Sequence, residues 1–303
     1  MTAQVRQGNR YQSVAHAYWR LGRFDRPVGT WLLLWPTLWA LWLAAQGVPD
    51  LLRLAVFVLG TFLMRAAGCV LNDLADRRFD GHVKRTSQRV LATGEVSVIG
   101  AGLYACTLLA ASASLLFFLN ELAQQYALVA AFLAAAYPFF KRFFPYPQIV
   151  LGMAFGFGIP MAFADTLGQV PVIGWVLWLL NLSWVVAYDT AYAMVDRDDD
   201  LRLGLKSSAI SFGRYDWPAV VVLQALFLLG MALIPVYLPL GFLYAFAWVV
   251  AAGYSVRLLS RLRSRTREDS FYVFLKSHWV GAVLWAGIVL DSGLRTILAG
   301  NGG

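Results

Sequence analysis

Apolar residues run along this chain in blocks of about twenty, the length that crosses a hydrocarbon layer as a helix. Cut at Gly, Pro and charged positions, the blocks predict nine helices, near residues 28–46, 51–71, 97–119, 122–140, 148–165, 172–195, 217–235, 238–257 and 272–291. The block from 172 is long enough to leave the hydrocarbon and carry an acidic end into water. Residues 1–26 differ: Tyr11, Val14, Tyr18, Trp19 and Leu21 are interspersed with Arg6, Arg10, Arg20, Arg23 and Arg26. They lack a short apolar core followed by a small-residue cleavage site. The segment therefore reads as an amphipathic helix at a membrane surface, not a cleavable signal.

The connections alternate in charge. Basic residues fill the N-terminal segment and the links after the second span (Arg77, Arg78, Lys84, Arg85, Arg89), the fourth (Lys141, Arg142), the sixth (Arg197, Arg202, Lys206, Arg214) and the eighth (Arg257, Arg261, Arg263, Arg265, Arg267). The intervening links, around 47–50, 119–122, 165–171 and 235–239, hold no Lys or Arg and include Asp50, Glu121 and Asp165. By the positive-inside rule the N-terminus and the four basic links are cytoplasmic. Nine spans then put the C-terminus outside, in the periplasm if the membrane is a bacterial inner membrane.

Composition narrows the class. At 59 % hydrophobic and 14 % charged over 303 residues, the chain is far from a soluble domain and leaves no room for a large extramembrane one. The net charge of +8 is spread over the links, which suits anionic lipid headgroups and argues against nucleic acid. Cys69 and Cys106 lie in apolar segments without CxxC spacing, and are expected to pack rather than bridge or bind metal.

The scarce acids are not scattered. Asp-Arg-x-x-Asp occurs twice, as Asp76–Asp80 and Asp196–Asp200, and eight of the 17 acidic residues sit in these two places: Asp73, Asp76, Asp80, Asp189, Asp196, Asp198, Asp199 and Asp200. Asn72, Asp76 and Asp80 share one helical face, as do Asp189, Asp196 and Asp200 with Tyr192 between them. Such stripes suit Mg²⁺, which takes one or two carboxylates plus substrate phosphates. A bare diphosphate would be repelled by them, so charge balance asks for the metal. Asp73, Asp198 and Asp199 read equally as helix-end acids paired with nearby Arg. Arg65, seven residues before Asn72 in an apolar run, either grips anionic oxygen from within or snorkels to an interface. Gly81 and Gly204, each just beyond its motif, hint at an internal duplication.

Asn72-Asp73-x-x-Asp76-x-x-x-Asp80, with Gly81 to Thr86 after it, resembles the first Asp-rich motif of the UbiA superfamily of intramembrane prenyltransferases. Asp196-Arg-Asp-Asp-Asp200, followed by Gly204 and Lys206, resembles the second. Tyr188-Asp-Thr-x-Tyr192, the run from Arg26 to Pro36, and Tyr137-Pro-Phe-Phe-Lys-Arg142 are similar to the bacterial 4-hydroxybenzoate branch. The likeness extends over the chain from about residue 15. Arg89-Val90-Leu91 departs from the Arg-Pro-Leu that members often carry, a difference of loop shape.

The resemblance implies an all-α membrane protein of nine helices around a central cavity with a cytoplasmic cap, as one domain over 27–303 behind an interfacial segment 1–26. It implies Mg²⁺ held by Asn72, Asp76, Asp80, Asp196 and Asp200, and transfer of a polyprenyl chain from its diphosphate to the carbon ortho to the hydroxyl of 4-hydroxybenzoate, in ubiquinone biosynthesis. Lys206, Arg85 or Arg89 would steady the leaving diphosphate. Asp189 is either the base for the ring proton or a further metal-shell acid. Arg142 is either the partner of the benzoate carboxylate or a topology-setting cation beside Lys141. Arg65 and Tyr192 complete the substrate-binding set. Menaquinone, haem O and chlorophyll prenyltransferases are the alternatives within the superfamily. A CDP-alcohol phosphotransferase is disfavoured by the two separated clusters, and a divalent-cation transporter by acids that end helices instead of lying at mid-membrane.

Overall fold

The structure, a computed structural model, describes residues 13–80 and 86–300, without the side chains of residues 78–80, 296, 299 and 300. Arg6, Arg10, Tyr11, Lys84, Arg85 and residues 301–303 lie outside the described residues. The longer elements are α1 (residues 13–21), α2 (Val28–Ala45), α3 (Leu51–Asp80), α4 (Val98–Leu115), α5 (Glu121–Phe140), α6 (Pro147–Gly156), α7 (Gly158–Leu167), α8 (Val172–Leu203), α9 (Ser208–Phe212), α10 (Asp216–Leu233), α11 (Phe242–Leu262) and α12 (Arg267–Gly300). No strand occurs among the described residues.

Nine stretches among the described residues are long and apolar enough to cross a membrane, and they coincide with the nine apolar blocks. The fifth, Pro147–Leu167, is crossed by α6 and α7 with a break at Phe157. The main differences are at the ends. α3 runs to Asp80 and α8 to Leu203, well past the last apolar residues. Apolarity marks where a helix meets lipid, but i→i−4 bonding continues until a breaker appears. Neither Gly nor Pro interrupts 72–80 or 195–203. Both acid motifs therefore stand on helix, not in loops.

The chain forms two compact units, Met1–Thr30 with Val58–Phe117, and Trp31–Phe57 with Phe118–Gly303. In the first, α1 sets Ala17 and Leu21 against Ala66, Ala67 and Val70 of α3 and Ala101, Ala105 and Leu108 of α4. Tyr18 meets Tyr104 edge-on with ring centroids 5.1 Å apart. Trp19 is exposed on the other side of the helix, and Val14, in its first turn, is exposed as well. α1 is thus amphipathic, with Tyr18 and Leu21 facing protein instead of lipid.

In the second unit α8 packs on α6, α7, α10 and α12, and α11 pairs with α12. Its middle is aromatic: Trp184 lies 5.4 Å from Trp39 and stacks on Phe227 at 5.3 Å, while Trp39 Nε1 donates to the Gly281 carbonyl at 3.0 Å. Between helices that face lipid, such close van der Waals contact replaces the water-driven association of a soluble core. Leu128, Phe132 and Phe246 are turned outward. Where α7 ends, buried Asp165 accepts from Arg53 Nε and from the Asn120 amide, each at 2.8 Å, and so ties the starts of α3 and α5 together.

Candidate active site

Each motif is best understood by rotation about its helix. On α3, Arg65, Asn72 and Asp76 fall on one stripe, because steps of seven and four residues return close to the starting direction. Asn72 and Asp76 are half-buried. Asp80 is the last residue of the helix, and its side chain lies outside those described. Asp73 is turned about 100° from Asn72 and points elsewhere. Its carboxylate, 2 % exposed, takes Arg23 at 2.8 and 3.1 Å and Arg89 at 3.0 Å. Asp73 is thus paired with arginines, as its place near the helix end suggested, but its carboxylate is buried instead of at the surface. It is a buried ion-pair anchor, and Arg89, a candidate diphosphate clamp, is engaged by it.

Arg65 is half-buried and its guanidinium lies against the backbone of Gly29 in the first turn of α2. A Cβ at Gly29 would collide with that guanidinium. The glycine in Arg26-Pro-Val-Gly29 thus makes room for the charge carried on the stripe of the first motif.

α8 repeats the arrangement. Asp189, Asp196 and Asp200 form one stripe about 16 Å long at 1.5 Å per residue. Asp189 is buried, and Asp196 and Asp200 are half-buried. Tyr192 is half-buried on the same side, its ring stacked on Phe274 at 4.2 Å. The residues between are turned away and bonded. Arg197 reaches Asp216 at 3.1 Å, and Asp198 and Asp199 take Arg267 at 3.1 and 3.4 Å. The helix then stops at Gly204, whose φ of 68° is the left-handed conformation that glycine adopts without a Cβ penalty. Leu205 N donates back to the Asp200 carbonyl at 2.9 Å, which fixes the last motif residue in place.

The segment after the second motif is sewn to the turn between α5 and α6. Lys206 N donates to the Lys141 carbonyl at 2.7 Å, Ser208 N to Gln148 Oε1 at 2.8 Å, and Ser211 Oγ to the Pro145 carbonyl at 2.6 Å. The structure thereby brings Lys206 beside the turn that holds Lys141 and Arg142. Both Lys206 and Arg142 are exposed. The Arg142 guanidinium lies 5.5 Å from the Phe139 ring.

Sequence reasoning missed Asp216, Arg23, Arg265 and Arg267 as parts of the motifs' surroundings. Asp216 is completely buried between Arg197 and Arg265. In the sequence it looks like an ordinary acid at a helix start, before Trp217-Pro218. The one available signal was Arg197 itself, a cation inside an acidic run.

Among the described residues no group of three His, Cys, Asp or Glu could hold a metal by itself. The donor set is all oxygen, with half-buried acids on each stripe. That fits an ion that binds through one or two carboxylates and completes its shell with water and phosphate, as Mg²⁺ does.

Residues 33–281 match the model of the UbiA prenyltransferase family. The chain belongs to that family. UbiA relatives resemble it over nearly their whole length. The 4-hydroxybenzoate octaprenyltransferase of Nitrosospira multiformis is 53 % identical over 92 % of this chain and 96 % of its own. That of Aeromonas hydrophila is 51 % identical over 91 % and 96 %. Solved UbiA homologues share the fold. The apo structure from Aeropyrum pernix K1 superposes with a TM-score of 0.76 at 24 % identity, over 88 % of this chain and 98 % of that one. The Archaeoglobus fulgidus homologue bound to GPP and Mg²⁺ gives 0.69 at 20 % identity, over 90 % and 99 %. This UbiA chain is thus a multi-pass, all-helical membrane protein.

Proposed function

We propose that this chain is a 4-hydroxybenzoate polyprenyltransferase acting in ubiquinone biosynthesis. The observation that carries the reading is the match to 4-hydroxybenzoate octaprenyltransferases at about half identity across more than 90 % of both chains. Their name also supports an octaprenyl donor.

In the reaction, the bond from the allylic carbon to the diphosphate oxygen breaks and diphosphate leaves with the electron pair. The ring carbon ortho to the phenol hydroxyl forms the new carbon–carbon bond, and the ring proton is lost to a base. Mg²⁺, when bound, neutralises the diphosphate and makes it a better leaving group. Asn72, Asp76, Asp80, Asp196 and Asp200 are the residues that would hold it. Arg65 and Lys206 offer cationic donors to the departing oxygens, in a role that Arg85 would share. Asp189, buried beside Tyr192, is the candidate base. Arg142 is the candidate partner of the benzoate carboxylate, and its exposure at the α5 turn leaves it open to a solute arriving from water. The apolar helix walls would keep water from the allylic cation. The alternation of basic and neutral links supports a cytoplasmic N-terminus and acid motifs at the cytoplasmic face of a bacterial inner membrane.

The test is direct. Membranes holding the chain are incubated with Mg²⁺, 4-hydroxybenzoate and prenyl diphosphates of several lengths, and products are identified by mass spectrometry. A 3-polyprenyl-4-hydroxybenzoate is expected. Prenylation of another aromatic acceptor, with 4-hydroxybenzoate untouched, would overturn the reading.

A further inference from the structure

Off each carboxylate stripe, one residue further along the helix, stands an ion-pair anchor. Beside Asn72 it is Asp73, held between Arg23 and Arg89. Beside Asp196 it is Arg197, bound to Asp216, which is also held by Arg265 Nε at 2.7 Å. Each triad has one aspartate almost or wholly sealed from solvent, at 2 % for Asp73 and 0 % for Asp216, between two arginines. Each also draws on an arginine in a left-handed turn, Arg23 with φ 60° and Arg265 with φ 55°. Non-glycine residues persist there only when their surroundings hold them. Backbone bonds close both turns, Phe24 N to the Trp19 carbonyl at 3.2 Å and Arg265 N to the Leu262 carbonyl at 3.0 Å, and the side-chain bonds add to them. Arg265 also donates to the Arg214 carbonyl at 2.7 Å, and Arg23 to the Arg20 carbonyl at 3.4 Å.

We propose that the triads Arg23–Asp73–Arg89 and Arg197–Asp216–Arg265 are positioning devices that set the rotation of α3 and α8, and so the aim of the metal-binding stripes. The proposal rests on the assignment of those stripes to Mg²⁺ made above. Its physical basis is leverage. A carboxylate about 6 Å from the helix axis moves about 2 Å for a 20° rotation, while Mg²⁺ demands near-octahedral oxygens at about 2.0–2.1 Å. An anchor one residue off the stripe, about 100° round the helix, resists that rotation without occupying the stripe. Partners outside the coordination shell commonly change metal affinity by about 10–100-fold.

Sign separates positioning from plain charge. Deleting an arginine near a cation site tightens cation binding through space, because a like charge is removed. Loss of position weakens it.

The experiment uses the purified full chain without substrate, titrated with Mn²⁺ and followed by electron paramagnetic resonance. Arg265→Gly removes the side chain and relieves the left-handed backbone, so no strain is added. Its Mn²⁺ dissociation constant should rise about tenfold, with helix content unchanged. Arg265→Lys should recover part of the loss, since an ammonium cannot span Asp216 and the Arg214 carbonyl as a guanidinium does. Arg23→Gly should act in the same direction from the first motif. Glu95→Gln, in the exposed pair with Arg20 at 2.9 Å, should leave the affinity at the parental value. Asp196→Asn reads the underlying assignment. Parental or tighter Mn²⁺ binding in both Arg265 variants, with binding lost in Asp196→Asn, overturns the positioning role and leaves the metal site standing. Parental binding in Asp196→Asn overturns the metal assignment, and the proposal with it. Should Arg265→Gly fail to insert, Arg265→Lys decides by the same criterion.

Discussion

At Asp76 and Asp196 a half-buried carboxylate stands on a helix that continues beyond it. Replacing either by Asn keeps the volume and removes the charge. Turnover should fall more than the 10–100-fold that outer-shell changes cost, with the protein still inserted and folded. Near-normal rates in either variant would show that the stripe is not the metal site. Arg142 should act on the other substrate. Arg142→Ala is expected to raise KM for 4-hydroxybenzoate about 10–100-fold, the worth of a charge-assisted hydrogen bond of about 1.5–3 kcal/mol, and to leave KM for the prenyl diphosphate nearly unchanged. Equal changes in both would return Arg142 to a topological role. The stripes themselves were legible because a period of 3.6 is visible in any linear sequence. The anchors were not: Arg23 and Asp73 are 50 residues apart, and Arg265 and Asp216 are 49. Nothing local marks such pairs, and an isolated Arg in a basic link reads as topology.

At the scale of elements, nine apolar blocks became nine candidate spans among the described residues because length and apolarity are what a bilayer demands. What stayed hidden was what the polar ends do. The helices α3 and α8 keep their bonding through charged sequence, and the sequence 204–212 folds back on the α5–α6 turn through the Lys206, Ser208 and Ser211 bonds. The end of α7 is another case. Asp165 alone looks like a mark of a non-basic loop, yet its side chain is 4 % exposed and is shared by Arg53 and the Asn120 amide. Asp165→Ala should destabilise the protein by about 2–3 kcal/mol. That is somewhat below the roughly 3–5 kcal/mol of breaking a fully buried pair, because Arg53 is 41 % exposed and can be rehydrated. Detergent-solubilised thermal unfolding measures this, and the Mg²⁺ dependence of turnover should not move. A shift in Mg²⁺ dependence would mean that this tie communicates with the motifs.

For the whole molecule the deciding question is which side of the membrane the motifs occupy, since diphosphate substrates are met in the cytoplasm. The alternation of basic and non-basic links argues for the cytoplasmic side for the two links that carry the motifs. Single-cysteine labelling can read this, and the native thiols set the design. Cys69 is buried, but Cys106 is exposed and must first be replaced by Ser. Arg202, with 81 % of its side chain exposed just after the second motif, and Gln169, exposed in the short link after α7, are then mutated to Cys one at a time. In intact spheroplasts a membrane-impermeant maleimide should label Gln169→Cys at once and Arg202→Cys only after lysis. Metal dependence belongs to the same experiment. Excess chelator added to the lysed membranes should abolish prenyl transfer, and Mn²⁺, another oxygen-preferring divalent ion, should restore it. Labelling of Arg202→Cys from outside would invert the molecule and place its acid motifs away from their proposed substrates. Full turnover in chelator would leave the topology intact and remove the metal from the mechanism.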